Sequence, residues 1–327
     1  LERGGFMRVF RIFLVIVFAG LSGVYAADSG AGTAAASFMK IPASSARSQA
    51  LGDLGSVLIE GAEGMPLNPS SIASSQMREL TFSYLNWFQD YSGQYLGYVH
   101  PIGQAVIGLN IAYYGMENFD IRDSDGKSLY GDNVKIKNWY GSFTVSKAFF
   151  LERFLLGASI KKVVEDNYYK SYGNVVFDLG ATIKIGRKFI LGWSGQNFSG
   201  DEKEVVKIQR LGLAWNINPF LTAAFENKSY SDVKSKLSFG MEINLPEEIL
   251  RVGRVSLRFG YNPMDDHGQN IDDGFLDRFG LNETRGWTFG FGIYTLRPGG
   301  YGFGVDYSLV PYGALGKSSQ VAVKFQF

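Results

Sequence analysis

Arg210, Glu226, Glu242 and Arg258 recur at intervals of sixteen residues, each within a separate run of alternating apolar and polar side chains. Opposite charges on one face of successive antiparallel strands can meet across the sheet. Two chemistries follow. The four charges can pair into a belt of alternating neighbours that braces a wall, or Arg210 or Arg258 can receive an anionic head group such as a carboxylate in its guanidinium fork. Both chemistries require these faces to look away from lipid, where Arg or Lys at mid-depth would cost roughly 2–4 kcal/mol. Asp178, Lys184, Lys228, Arg254, Asp306 and Lys324 fall on the same inward faces.

Catalysis has little else to build from. Only two histidines exist, His100 beside an expected short turn and His267 in an expected long loop, at opposite ends of the strands. With no cysteine in the chain, disulfides, a lipid anchor and a thiol-based metal site are excluded. Acidic residues gather at Asp120, Asp123 and Asp125, and again at Asp265, Asp266, Asp272, Asp273 and Asp277. Asp123-Ser124-Asp125-Gly126 has too few acids, and no closing Glu, for a calcium loop of the EF-hand type, so these read as solvated surface loops. No catalytic residue, metal site or cofactor is therefore expected. A formal net charge of +1 without a basic run argues against a nucleic-acid partner.

Fourteen short segments must position these charges: Glu79–Trp87, Ser92–Pro101, Gln104–Tyr114, Trp139–Phe149, Phe154–Val163, Val175–Ile185, Lys188–Gln196, Val206–Ile217, Phe220–Tyr230, Ser235–Leu245, Arg254–Asn262, Gly286–Arg297, Tyr301–Leu309 and Ser318–Phe327. Most are about ten residues long, the span of a tilted transmembrane strand. In the tenth, Leu237, Phe239, Met241, Ile243 and Leu245 share one face, against Ser238, Gly240, Glu242 and Asn244 on the other. The second alternates poorly over Tyr95–Val99. Period two alone also suits a soluble half-buried sheet. Loop lengths discriminate: connections after even-numbered segments are mostly tight, as at Ile102-Gly103 and Asn218-Pro219, whereas Gly115–Asn138, Val164–Asn174 and Pro263–Arg285 are long and polar. Short turns at one end and long loops at the other mark a bacterial outer-membrane barrel, with the short turns and both termini periplasmic. Aromatic residues at 15% and 41 glycines fit interfacial girdles on a curved wall. No stretch after residue 26 carries the roughly 18 apolar residues of a spanning helix.

Residues 1–26 read as a signal peptide, with Met7 as the start, residues 1–6 upstream of it, Ile12–Leu21 as the apolar core and cleavage after Ala26. Residues 27–78 do not alternate. Phe38–Ser75 is rich in small residues, carries Pro42, Pro66 and Pro69, and sets its apolar run Leu54–Ile59 among glycines. It reads as a plug that starts at the periplasmic end and folds back into the lumen before the barrel at 79–327. Leu54, Leu58, Met65 and Leu67 give it an apolar surface that packs on the wall or meets a ligand, and Asn68-Pro69 reads as a tight turn.

Two segments carry a family resemblance. ARSQALGDLGSV, EGAEG and NPSSIA within Ala46–Ala73, and VDYSLVPYGALGKSSQVAVKFQF at Val305–Phe327, resemble FadL-like outer-membrane proteins, particularly their PorV branch. Leu67 replaces the usual aromatic before Asn-Pro, and Ser70-Ser71 replace Ala-Gly. Such paralogues occur in spirochaetes, and this chain resembles one of them. Phe325 and Phe327 resemble the C-terminal sorting signal read by the barrel-assembly machinery. The resemblance implies a fourteen-stranded plugged barrel that passes hydrophobic molecules, long-chain fatty acids first among them, passively through the outer membrane, in contact with its lipid. A PorV-like secretion partner and a general porin are the alternatives.

Overall fold

Fourteen antiparallel strands close into a barrel in which every strand pairs with its neighbours in sequence and the first pairs with the last. They are β1 (Glu79–Asn86), β2 (Ser92–Ile102), β3 (Ala105–Phe119), β4 (Val134–Phe149), β5 (Phe154–Asp166), β6 (Ser171–Ile185), β7 (Phe189–Phe198), β8 (Ile208–Asn218), β9 (Leu221–Tyr230), β10 (Lys236–Leu245), β11 (Arg254–Tyr261), β12 (Trp287–Arg297), β13 (Tyr301–Pro311) and β14 (Lys317–Gln326). The structure, a computed structural model, describes residues 34–87, 90–119, 122–128, 134–166, 171–198, 205–246, 253–263, 286–297, 300–312 and 316–327. The expected leader at 1–26 lies outside the described residues, as do Asp120, Asp265, Asp266, His267, Asp272, Asp273 and Asp277.

All fourteen expected segments form strands, and β3 to β6 run further than alternation indicated. Beyond the apolar band, Asn138 pairs with Glu165 and Lys137 with Asp166 across β4 and β5. Backbone hydrogen bonding continues there among polar side chains, so the ladder outlasts the hydropathy signal.

Alternation sorts the two faces. Leu80, Phe82 and Tyr84 of β1, Leu213 and Trp215 of β8 and Val321 and Phe325 of β14 point outward and are exposed. Aromatic pairs mark both rims of this wall, Phe189 with Trp215 and Tyr301 with Phe325 at one, Tyr261 with Trp287 at the other. An apolar outer band between aromatic girdles is what lipid requires of a barrel. The inward residues Thr81, Ser194, Arg210, Glu226, Lys228, Ser238, Glu242 and Arg258 are buried.

What buries them is the N-terminal segment. Call the end where Glu79 pairs with Gln326 the near end and the opposite one the far end. At the far end the Ala36 N–H donates to Glu165 Oε2 (2.7 Å), the Val206 N–H to the Ala35 carbonyl (3.2 Å), and Lys40 Nζ to Asp232 Oδ2 (2.5 Å). At the near end Arg78 and Phe327 exchange two backbone hydrogen bonds. From residue 34 the described plug thus runs from the far end through the lumen to β1. The expected start beside the chain end, at residue 27, lies outside the described residues; from residue 34 the segment passes from the far end to the near end, its polar groups meeting the wall on the way.

The plug also explains the weak alternation of β2. Tyr95 and Val99 point inward but meet apolar plug surface, Val99 packing with Ala62, Met65 and Ile72 while the Tyr95 hydroxyl donates to the Ala62 carbonyl. His100 lies on the outer face beside the near-end turn, its Nδ1 3.0 Å from the Tyr98 hydroxyl.

Candidate functional site

Inside the wall the plug folds as short pieces that could not stand alone. Helix α1 (Ala46–Ala50) has five residues, far below the length at which an isolated helix persists. Its start is capped by the Ser45 hydroxyl, which accepts from the Ser48 N–H (3.0 Å). A 3₁₀ turn at Pro69–Ile72 follows Asn68, whose Oδ1 accepts from the Ser70 N–H (3.0 Å), with proline at the first position where no donor is needed. Asn68 Nδ2 donates to the Ser56 carbonyl (2.8 Å), and the Pro69 carbonyl accepts from the Ser146 hydroxyl (2.6 Å). This turn lies directly on the wall because the wall there lacks side chains: a Cβ on Gly180 would come within 2.0 Å of Asn68 Oδ1, and one on Gly157 within 2.4 Å of Pro69 backbone.

Charge completes the attachment. Arg210 Nη1 donates to Glu226 Oε1 (2.9 Å) and to the plug carbonyl of Asp53 (2.8 Å). Glu226 Oε2 accepts from the plug N–H groups of Gly55 (2.9 Å) and Ser56 (2.6 Å). Lys228 Nζ reaches Asp53 Oδ2 at 2.8 Å. In a second cluster Glu242 receives Arg47 of the plug through Nε (3.0 Å) and Nη2 (2.6 Å), and Arg258 of the wall through Nε (2.7 Å). Arg258 Nη1 also meets Asp306 Oδ1 at 2.5 Å. A third pair joins Lys324 to Glu63 of the plug (2.8 Å), which also accepts from the Ser45 hydroxyl (2.7 Å). Burial pushes the Glu63 carboxyl up, but the Lys324 ammonium, the Ser45 hydroxyl and Arg47 together hold it below its ordinary value.

The expected belt is therefore two separate pairs. Across β9 and β10, Glu226 faces Ser238 and Glu242 faces Thr222, so the acids do not bridge the two halves. Each half is instead completed by the plug. Both arginines are buried and paired with carboxylates of the same chain, Arg210 with Glu226 and Asp53 and Arg258 with Glu242 and Asp306. Asp53, Arg47 and Glu63, which complete the clusters, escaped sequence reasoning because isolated charges in a small-residue stretch have no periodicity. The one available signal was the surplus of inward cations, Arg210, Lys228, Arg258 and Lys324 among them, awaiting acids from elsewhere.

The apolar plug residues also pack rather than line open space. Leu54, Leu58 and Leu67 join Leu51, Val57, Ile59 and the wall residues Ala214 and Ala224 in one buried cluster. Met65 joins Ala62, Ile72, Val99 and Val106 in another. Between plug and wall beside Leu67, Lys161 and Arg210, only about 20 Å³ remains. Larger spaces lie at the ends. A far-end cavity of about 300 Å³ is walled by Trp87, Tyr230, Val233, Val310 and Tyr312 above Asp53. A near-end vestibule of about 380 Å³ is polar, bordered by Arg47, Glu60, Arg254, Tyr294 and Lys324. Arg254 lies 5.3 Å from the Tyr294 ring, over its face.

Among the described residues no group of acidic and histidine side chains is placed to hold a metal ion. Asp123 Oδ1 instead accepts from the N–H groups of Asp125 (3.0 Å) and Lys127 (2.9 Å), an ordinary turn.

These features define a class: a fourteen-stranded β-barrel filled by its own N-terminal segment, with cavities at either end. Solved structures of that architecture match it closely in extent. The toluene transporter TbuX of Ralstonia pickettii superposes with a TM-score of 0.54 at 11% identity, over 86% of this chain and 96% of that one. The toluene transporter TodX of P. putida gives 0.53 at 10% identity, over 86% and 96%. A FadL homologue of Pseudomonas aeruginosa gives 0.52 at 12% identity, over 88% and 98%. At such identities the likeness is one of fold. By sequence, no family profile and no curated protein matches the chain.

Proposed function

We propose that this chain is an outer-membrane transporter through which hydrophobic molecules pass by diffusion, with the near end and the chain end facing the periplasm. The observation that carries this reading is the filled lumen: an apolar outer wall surrounds a plug tied to it by buried ion pairs, with about 300 Å³ of partly aromatic space at one end and a polar vestibule at the other. A general porin needs a continuous aqueous channel, and the packed plug argues against one. The neighbours of like fold are described as transporters of toluene or as a FadL homologue, which supports a hydrophobic cargo. An apolar molecule gains by leaving water for such a cavity. Outer-membrane lipid contacts the wall, and the strand ending at Phe327 is the segment offered to the assembly machinery.

In the fatty-acid form of this reading, Arg210 or Arg258 receives the carboxylate and the chain lies along Leu54, Leu58, Met65 and Leu67. The incoming carboxylate must then displace Glu226 and Asp53, or Glu242 and Asp306. As they stand, the arginines serve as anchors of the plug.

Purified protein in planar bilayers should conduct little while binding labelled toluene or palmitate saturably, and deletion of residues 38–66 should raise its conductance. Large ohmic conductance of the intact protein would overturn the proposal in favour of a porin.

A further inference from the structure

The far-end cavity has a chemistry that its volume alone does not convey. Its upper wall is aromatic, with Trp87 and Tyr312 in an edge-on contact at 4.8 Å between ring centroids and Tyr230 alongside. Its floor is polar: Asp53, Asn262 and Thr288. A space of about 300 Å³ suits a molecule of one or two rings at the small end of ligand pockets.

Most of the charges around the floor are paired, and Lys236 also borders the cavity. Asp53 and Glu226 are met by Arg210 and Lys228, and above them Lys40 is met by Asp232. One oxygen of the Asp53 carboxylate is incompletely met. Asp53 Oδ2 accepts from Lys228 Nζ (2.8 Å), but Asp53 Oδ1 is buried with no hydrogen-bond partner, 3.6 Å from Arg210 Nη2. The residue is held at a φ of +60°, a conformation that costs energy for any residue but glycine. A buried acceptor without a donor is expensive, and an incoming O–H or N–H relieves it.

We infer that the far-end cavity selects uncharged aromatic molecules bearing one hydrogen-bond donor, the phenol class, with the ring among Trp87, Tyr230 and Tyr312 and the hydroxyl on the Asp53 carboxylate. A carboxylate ligand would bring acceptors to an acceptor. A plain hydrocarbon would fill the aromatic part and leave Asp53 Oδ1 unmet. This deepens the transport reading and rests on it for its biological meaning, while the binding preference stands by itself.

The test is equilibrium binding of p-cresol, toluene and p-toluate to the purified detergent-solubilised protein, with folding of each variant checked by heat-modifiable gel mobility. A hydrogen bond to a charged group corresponds to about tenfold or more in affinity, so p-cresol should bind at least about tenfold tighter than toluene and p-toluate weakest. Asp53→Asn should reduce the preference for p-cresol over toluene while toluene still binds. Should that variant not fold, Val310→Trp, which fills the cavity from the wall, should abolish binding of both. Equal affinity for p-cresol and toluene, tighter binding of p-toluate, an unchanged preference in Asp53→Asn or full binding in Val310→Trp would each overturn the inference. Uptake assays separate the two proposals: binding with the stated preference but no uptake removes only the transport reading, and uptake without the preference removes only this one.

Discussion

Glu226 holds Ser56 twice with one oxygen: Oε2 accepts from both the backbone N–H and the hydroxyl of Ser56, each at 2.6 Å. The other oxygen is taken by Arg210, so a single buried carboxylate ties the wall to the plug and is fully used in doing so. Removing one partner of a buried pair leaves the other uncompensated, which typically costs several kcal/mol. Glu226→Gln should destabilise the folded protein by roughly 3–5 kcal/mol in urea unfolding. The same variant should raise single-channel conductance, because Gly55 and Ser56 lose their strongest acceptor. A variant as stable and as closed as the parent would show that the plug is held by packing alone.

Space is the second constraint on the plug. Valine at Gly180 would place its Cβ where Asn68 Oδ1 now sits, 2.0 Å away, with the Pro69 and Ser70 backbone nitrogens at 2.8 Å. Because the obstacle includes backbone, the turn must move. Gly180→Val should cost about 1–3 kcal/mol, typical of overpacking, and should expose the segment around Asn68 to proteolysis. Unchanged protease resistance would mean that the turn has slack elsewhere.

The path of the plug can be read by labelling, since the chain has no cysteine of its own. Ser37 is half-buried at the far end and Gln76 is exposed at the near end. With the near end periplasmic, a membrane-impermeant maleimide should label Ser37→Cys on intact cells and Gln76→Cys only after the outer membrane is opened. The reverse pattern would invert the orientation, and equal labelling of both on intact cells would contradict the threaded path.

Acid should loosen the plug through Glu63. Its carboxyl titrates below the ordinary 4.5 in the folded protein, so its ion pair with Lys324 contributes stability that is present above that pH and is lost as pH falls through the lowered folded value. Glu63→Gln lacks this contribution at every pH. The difference in melting temperature between the parent and Glu63→Gln should therefore be largest near neutrality and shrink below about pH 4.5. A difference that stays constant to pH 3 would assign the effect of the substitution to packing.

Strands were legible because lipid on one side and polar groups on the other impose period two over whole segments, as in Leu237 to Leu245. Legibility failed where the inner face met something apolar, as at Tyr95 and Val99, since the plug that replaces the polar lumen is written in a distant part of the chain. The sixteen-residue recurrence of Arg210, Glu226, Glu242 and Arg258 falls on four buried side chains of the wall. It could not reveal that Asp53 and Arg47 intervene, because a contact across about 157 residues, from Asp53 to Arg210, leaves no local trace.

Glu79, the first residue of β1, accepts from the Ala62 N–H of the plug (2.7 Å) through Oε1 and from Gln326 Nε2 of β14 (2.7 Å) through Oε2. It thus sits on the seam where the first and last strands join to make the ring. Withdrawing the plug from this carboxylate breaks the Ala62 bond to the same side chain that ties β1 to β14. Opening the plug and parting the joint between β1 and β14 thus act on one shared residue.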